Sequence, residues 1–254
     1  MNRYTGKLIE THCHIDNVSG ESYAQKILNL LKLENIDYAL LLGGRNQDFQ
    51  KVIDFLSPYH KKVGLLLFIE PDKHNKSDIA KLIENNNRII KGFKFHPSFH
   101  GFKVSVETCE YIFQLANEYN IIINTHTDIS ENSNSENFRP LLEKYPKTKL
   151  ILSHAFPFDS ALDLASKFEN VYIDTSYTAW NKEFQQRALK ILGKEKILYG
   201  IDSPIGFKKD EKGEFLPHYR EAAYEVAEFY NYDENVIPYI MYKNAEKILK
   251  IWER

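Results

Sequence analysis

The sequence predicts an α/β fold, a (β/α)8 TIM-like barrel forming a single domain over residues 1–254, and three observations predict it. Apolar runs of strand length alternate with amphipathic helical stretches about eight times, with no Pro/Gly/Ser-rich linker between them. Several of those runs are near-continuous Val, Ile and Leu, as expected of parallel strands buried on both faces. The chain has 254 residues, 43% of them hydrophobic, which matches the roughly 250 residues of such a barrel and suffices for one large core. The competing architecture, an open doubly wound sheet, calls for a strand followed by a phosphate-binding glycine loop. The nearest candidate, Gly43-Gly44, lacks the third glycine of that loop.

The elements follow in order. Residues 8–16 open with apolar residues and read as a strand. Residues 21–34 set Tyr23, Ala24, Ile27, Leu28, Leu30 and Leu31 at helical spacing. Strand 37–44 is closed by glycines, and helix 46–56 stops before Ser57-Pro58. Strand 63–69 is halted at Glu70-Pro71. Helix 77–85 carries Ser77 as its expected N-cap, and strand 89–96 is broken by Pro97. The second half keeps the rhythm: helix 105–119, strand 121–127, a polar loop into a helix through Leu141 and Leu142, and strand 150–156. Helix 160–168, strand 171–176, helix 182–192, strand 197–203 and helices at about 219–229 and 233–252 complete the chain.

Composition narrows the function. Lysine and arginine number 33 against 35 acidic residues, a net charge of −2, so no global attraction to nucleic acid or anionic lipid is expected. Two cysteines, Cys13 and Cys109, make no disulfide framework in a chain of this length. No signal-peptide pattern and no apolar run of about 18 residues is present, so a cytoplasmic location away from membranes is expected. The expected partner is a small-molecule substrate, with a homodimer left open.

Chemistry collects where a barrel of this kind places its active site, at the C-terminal ends of the strands. His12 and His14 sit two apart on the first strand, so both face one point. That point suits a metal ion bound by imidazole. Of nine histidines, five lie near strand ends: those two, His96 on the fourth, His126 on the fifth and His154 on the sixth. His100 follows in the loop after the fourth strand, and Asp202 closes the eighth. His60, His74 and His218 read as solvated surface histidines. Cys13 and Cys109 read as core, with Cys13 turned away from His12 and His14. Alternation sends Phe93 and Phe95 outward to the helices and Lys94 and His96 into the barrel, where a lysine needs a partner.

Five motifs carry a resemblance. His12-x-His14, Gly92-Phe93-Lys94-Phe95-His96-Pro97, Asn124-Thr125-His126-Thr127, Leu152-Ser153-His154 and Tyr199-Gly200-Ile201-Asp202-Ser203-Pro204 resemble the amidohydrolase superfamily. Within it the chain is similar to the amidohydrolase-related branch that includes aminocarboxymuconate-semialdehyde decarboxylase, and the segment Tyr242-Lys243-Asn244-Ala245 resembles that branch's C-terminal helix. The resemblance implies a distorted barrel and one divalent metal, zinc first, held by His12, His14, His126 and Asp202, with His154 beside the metal-bound water. The chain is short for this branch, which leaves its substrate loops open. The first motif and the Asp202 end also resemble TatD-type deoxyribonucleases. Those carry a glutamate ligand on the fourth strand, where this chain has Lys94 and His96.

The expected enzyme is a metal-dependent hydrolase of an amide, lactone or ester. Asp202 is its expected proton carrier, and His154 would orient the water or stabilise an oxyanion. Non-oxidative decarboxylation is the alternative, and a non-catalytic metal-binding barrel the reading outside enzymology. Arg45, Lys94, His96 and His100, with Lys103 nearby, gather basic groups at the catalytic end and predict a carboxylate-bearing substrate. A rival use of Lys94 is carboxylation, so that it bridges a second metal.

Overall fold

The computed structural model describes residues 2–15, 21–43, 48–177, 180–205 and 207–251. The eight strands are β1 Ile9–His14, β2 Tyr38–Gly43, β3 Val63–Phe68, β4 Ile90–Phe95, β5 Ile122–His126, β6 Lys149–Ser153, β7 Val171–Asp174 and β8 Ile197–Leu198. They form one sheet in sequence order with every ladder parallel. Backbone bonds close the seam between β8 and β1: Thr11 N–H to Tyr199 O at 3.0 Å, Ser203 N–H to His12 O at 3.0 Å and His14 N–H to Ser203 O at 2.6 Å. The predicted barrel is therefore the observed one.

Helices α1 Glu21–Leu33, α2 Phe49–Leu56, α3 Lys76–Asn85, α4 Pro97–His100, α5 Val106–Tyr119, α6 Arg139–Lys144, α7 Phe158–Lys167, α8 Lys182–Leu192, α9 Tyr219–Phe229 and α10 Asn244–Leu249 fill the crossovers and the C-terminus. Some elements depart from the sequence reading. Asn75, not Ser77, caps α3, its side chain accepting from Asp78 N–H at 3.0 Å. Strand β8 stops at Leu198 rather than continuing to 203, and the expected helix 233–252 is a π-helical turn, Tyr239–Lys243, running into the short α10.

Two apolar layers hold the barrel. Phe93, Phe95, Cys13 and Cys109 lie with the helices in the outer layer, as alternation requires. The inner layer joins Ile9, Leu40, Leu66, Ile122, Ile151 and Leu198 to Ala245, Ile248 and Leu249 of α10, which plugs the end of the barrel opposite the histidines. Buried Asn244 pins that plug by donating to Lys194 O at 2.7 Å and Ile197 O at 2.8 Å. At β4 the interstrand approach demands glycine: a Cβ on Gly92 would lie 2.0 Å from Ile122 O. The Glu34 carboxylate caps α9, accepting from the amides of His218 at 2.7 Å, Tyr219 at 3.0 Å and Arg220 at 2.9 Å. That cap fixes the helix start that later forms a wall of the site.

Candidate metal centre and active site

The site is built on a break in the first strand. The β1–β2 register shifts between Glu10 and Cys13, and Glu10 Oε1 takes up the amides of His12 at 2.7 Å and Ile201 at 3.1 Å. Burial raises the Glu10 carboxyl well above its ordinary value, and the side chain bridges the bulge to the β8 end. Beyond the bulge both histidines turn inward. His12 Nε2 lies 3.1 Å and His14 Nε2 3.0 Å from the same oxygen, Asp202 Oδ1. Cys13 turns away, as expected, with its Sγ 3.3 Å from the Tyr219 hydroxyl.

Asp202 and His154 are aimed by unusual backbone. Asp202 has φ 57° and His154 φ 70°, followed by Ala155 at 47°. Left-handed conformations in residues other than glycine are held at a price of about 1–3 kcal/mol each and gather at functional sites. At His154 they also explain why β6 ends at Ser153, before the sequence reading expected. Gly200 permits the close approach there: a Cβ would stand 2.9 Å from Thr11 Oγ1, 3.1 Å from His12 Cβ and 3.2 Å from Asp174 Cβ.

His12, His154 and Asp202 each offer a donor atom, and these atoms lie within 4.8 Å of one another. His12 Nδ1 is 2.8 Å from Asp174 Oδ2, with both groups fully buried. A neutral imidazole that donates from Nδ1 has a bare lone pair on Nε2. That lone pair faces an Asp202 oxygen at 3.1 Å and the Lys94 amine at 3.3 Å, so acceptors and a cation already meet at this point. The donor set therefore fits a divalent metal. Burial pushes the Asp202 carboxyl up, but His12 and His14 beside it outweigh that and hold the carboxyl far below its ordinary range. Burial and the neighbouring His12 lower His154 to about 3.

The other predicted residues are spread more widely. His126 is one ring further out, 4.7 Å from His154 between centroids, with Nε2 3.0 Å from Asp128 Oδ2. His96 stacks on it at 3.9 Å and accepts the Phe99 amide at Nδ1. Burial and the neighbouring cation Lys94 take His126 to about 4. Burial and His126 take His96 to about 2. Lys94 does point inward, with Nζ 3.3 Å from His12 Nε2 and 2.6 Å from Asn124 Oδ1. Both neighbours are acceptors, which suits an amine carrying protons better than a carboxylated lysine. His100 packs instead beside Glu70, Nε2 to Oε1 3.9 Å, and against Phe68. Lys103 pairs with Glu131 at the surface. Arg45 lies outside the described residues.

Beside Asp202 opens a cavity of about 330 Å³ whose walls include Tyr177, Trp180, Ile205, Phe207 and His218. His218, read from sequence as a surface histidine, is thus a wall of the site. Asp174, Ser176, Tyr177 and Trp180 were also missed. They follow a plain apolar strand, and the one available signal was the polar run Asp174-Thr175-Ser176 at a predicted strand end.

The amidohydrolase family profile matches residues 45–251. The chain belongs to the amidohydrolase family. Three solved structures share the barrel: a probable 2-pyrone-4,6-dicarboxylic acid hydrolase from Acinetobacter baumannii with citric acid bound, at 15% identity and TM-score 0.69, covering 96% of this chain and 100% of its own; 5-carboxyvanillate decarboxylase from Sphingomonas paucimobilis, at 13% and 0.63, covering 96% and 99%; and a dihydroxybenzoic acid decarboxylase from Polaromonas with manganese and 2-nitroresorcinol bound, at 12% and 0.67, covering 97% and 98%. At these identities the likeness is one of fold. No curated protein matches the chain in sequence. Among the described residues no helix is long and apolar enough to cross a membrane.

Proposed function

We propose that this amidohydrolase is a metal-dependent hydrolase of a small carboxylate-bearing amide, lactone or ester. The observation that carries the reading is the meeting of His12, His14 and Asp202 at 3.0–3.1 Å beside a cavity of about 330 Å³, near the lower end of the roughly 300–1,000 Å³ usual for ligand pockets. His12, His14, His126 and Asp202 would hold the ion, zinc in the first instance. His126 would use Nδ1, since its Nε2 is engaged by Asp128. When bound, a divalent ion would lower the pKa of a water toward roughly 7 and polarise a carbonyl.

Asp202 would accept a proton from the attacking water and return it to the leaving group, while His154 would orient the attack. The Lys94 cation, 3.3 Å from His12, favours an anionic substrate, with Arg45 and His96 as further candidates to grip its carboxylate. The protein is proposed to be cytoplasmic, to act on no nucleic acid and to pair as a homodimer if it assembles at all.

A second reading, non-oxidative decarboxylation, has one observation in its favour: aromatic and aliphatic side chains dominate the cavity wall beside Asp202. A carboxylate held there is poorly solvated and gains by leaving as neutral CO2. Purified protein should contain near-stoichiometric metal by elemental analysis, and His12→Ala should lose it. Turnover of a panel of lactones, esters, amides and aromatic acids, with and without chelator, separates the readings by product: a new acid group for hydrolysis, CO2 for decarboxylation. Full metal occupancy in His12→Ala, or turnover unaffected by chelator, overturns the metal-dependent reading.

A further inference from the structure

Neither Asp174, the last residue of β7, nor Ser176 just beyond it has a role in the reaction just described, yet both are fully buried beside the histidines. Asp174 Oδ2 receives His12 Nδ1 at 2.8 Å. Its other oxygen, Oδ1, accepts the Ser176 hydroxyl at 2.7 Å and the backbone amides of His154 at 3.0 Å and Ser176 at 3.1 Å. The same hydroxyl lies 2.9 Å from His154 Nδ1. A hydroxyl has a single proton to give. Toward an ionised carboxylate that accepts only, Ser176 must be the donor, so toward His154 it must be the acceptor. His154 therefore carries its proton on Nδ1, as His12 does.

We propose that Asp174 and Ser176 are positioning residues that set one tautomer in both His12 and His154, directly in the first and through the serine hydroxyl in the second. Each ring then carries its lone pair on Nε2, His12 from β1 and His154 from the end of β6. Backbone and side chain are fixed together, because Asp174 also holds the His154 amide at the point where the chain turns left-handed at φ 70°. One consequence is chemical. An Nε2 lone pair accepts a hydrogen bond, so His154 orients a water by taking one of its protons' bonds and does not donate to an oxyanion. A second consequence is a hierarchy: Asp174 governs both rings, whereas Ser176 governs His154 at 2.9 Å and reaches His12 Nδ1 only at 3.4 Å.

The inference deepens the proposed metal-dependent reading, but its primary readout does not depend on metal. Long-range proton–nitrogen correlation spectra of the 15N-histidine-labelled full chain distinguish Nδ1–H from Nε2–H rings, with His12→Asn and His154→Asn assigning the signals. Both rings should be Nδ1–H in the wild-type protein. Ser176→Ala should release His154 alone. Asp174→Asn, whose amide can donate to Nδ1, should convert His12 to Nε2–H and disturb His154 as well. Titration with Zn2+ alone should show binding weakened by about 10–100-fold in Asp174→Asn and by less in Ser176→Ala.

A wild-type His154 in the Nε2–H form, or one unmoved by Ser176→Ala, overturns the relay. A His12 ring unmoved by Asp174→Asn overturns the role of the aspartate. Should Asp174→Asn fail to fold, the wild-type spectrum and Ser176→Ala still decide. Nδ1–H rings that respond as described in a protein binding neither Zn2+ nor Mn2+ would uphold this inference and sink the metal-dependent reading.

Discussion

Two carboxylate–histidine pairs stand at strand ends of this barrel, and they differ mainly in burial. Asp174–His12 spans 2.8 Å with neither side chain exposed, whereas Asp128–His126 spans 3.0 Å with 28% and 19% of the side chains exposed. Around the buried pair the partners are other residues of the site: Ser176, His154, Lys94 and Asp202. Around the open pair Asp128 is held by loop groups: its oxygens accept from the Ser98 hydroxyl and from Ser130 N–H at 2.7 Å. Burial raises the Asp128 carboxyl, but the serine bonds and His126 outweigh it and hold it at about 2. A hydrogen bond between charged partners weakens as water reaches it. The same two residue types therefore build a fixed centre on the β1/β7/β8 side and an adjustable rim on the β4/β5 side.

The contrast can be broken by mutation, and the largest effect belongs to the centre. Asp202→Asn should lower kcat by about 10²–10⁴-fold, the usual worth of a positioned acid–base group, with an unchanged far-ultraviolet circular dichroism spectrum. A wild-type rate would remove Asp202 from both ligation and proton transfer. Gly200→Ala should come next. Its new Cβ, 3.1 Å from His12 Cβ and 3.2 Å from Asp174 Cβ, overpacks the centre by about 1–3 kcal/mol, read as a lower thermal midpoint together with weaker Zn2+ binding. A thermal midpoint equal to wild type would show that the seam has room to spare.

Trp180→Ala should raise KM several-fold and leave kcat nearly unchanged, because the indole lines the cavity beside Asp202 without touching the proposed donor set. Smallest of all should be Asp128→Asn, an exposed pair worth about 0.2–1 kcal/mol, or less than about fivefold in Zn2+ affinity. If it equalled Asp174→Asn in the same titration, burial would not be what separates the pairs.

Much of this arrangement was legible in the chain. Periodicity is local, so the order of strands and helices could be read from it, and the breaks at Pro97, Pro157 and the glycines bounded the strands. That His12, His14, His154 and Asp202 share one end of the barrel could be read because each lies at or just past the C-terminal end of a strand. Alternation also put Phe93 and Phe95 outside and Lys94 inside. Lys94 was expected at the mouth, however, and it is buried beside His12, since the inward direction does not say how deep along the axis a long side chain ends.

What the sequence determined by itself was which residue types reach the C-terminal end of the barrel, for pattern and spacing depend on neighbours along the chain. The tertiary structure alone decided which nitrogen of each ring faces the site. That depends on Asp174 meeting His12 across 162 residues and on closure of the β8–β1 seam. It also decided that His154 and Asp202 adopt left-handed backbone, and that His218 walls a cavity through the capping of α9 by Glu34. Contacts of this kind have no local signal, because their energy is gained only once distant strands are brought side by side.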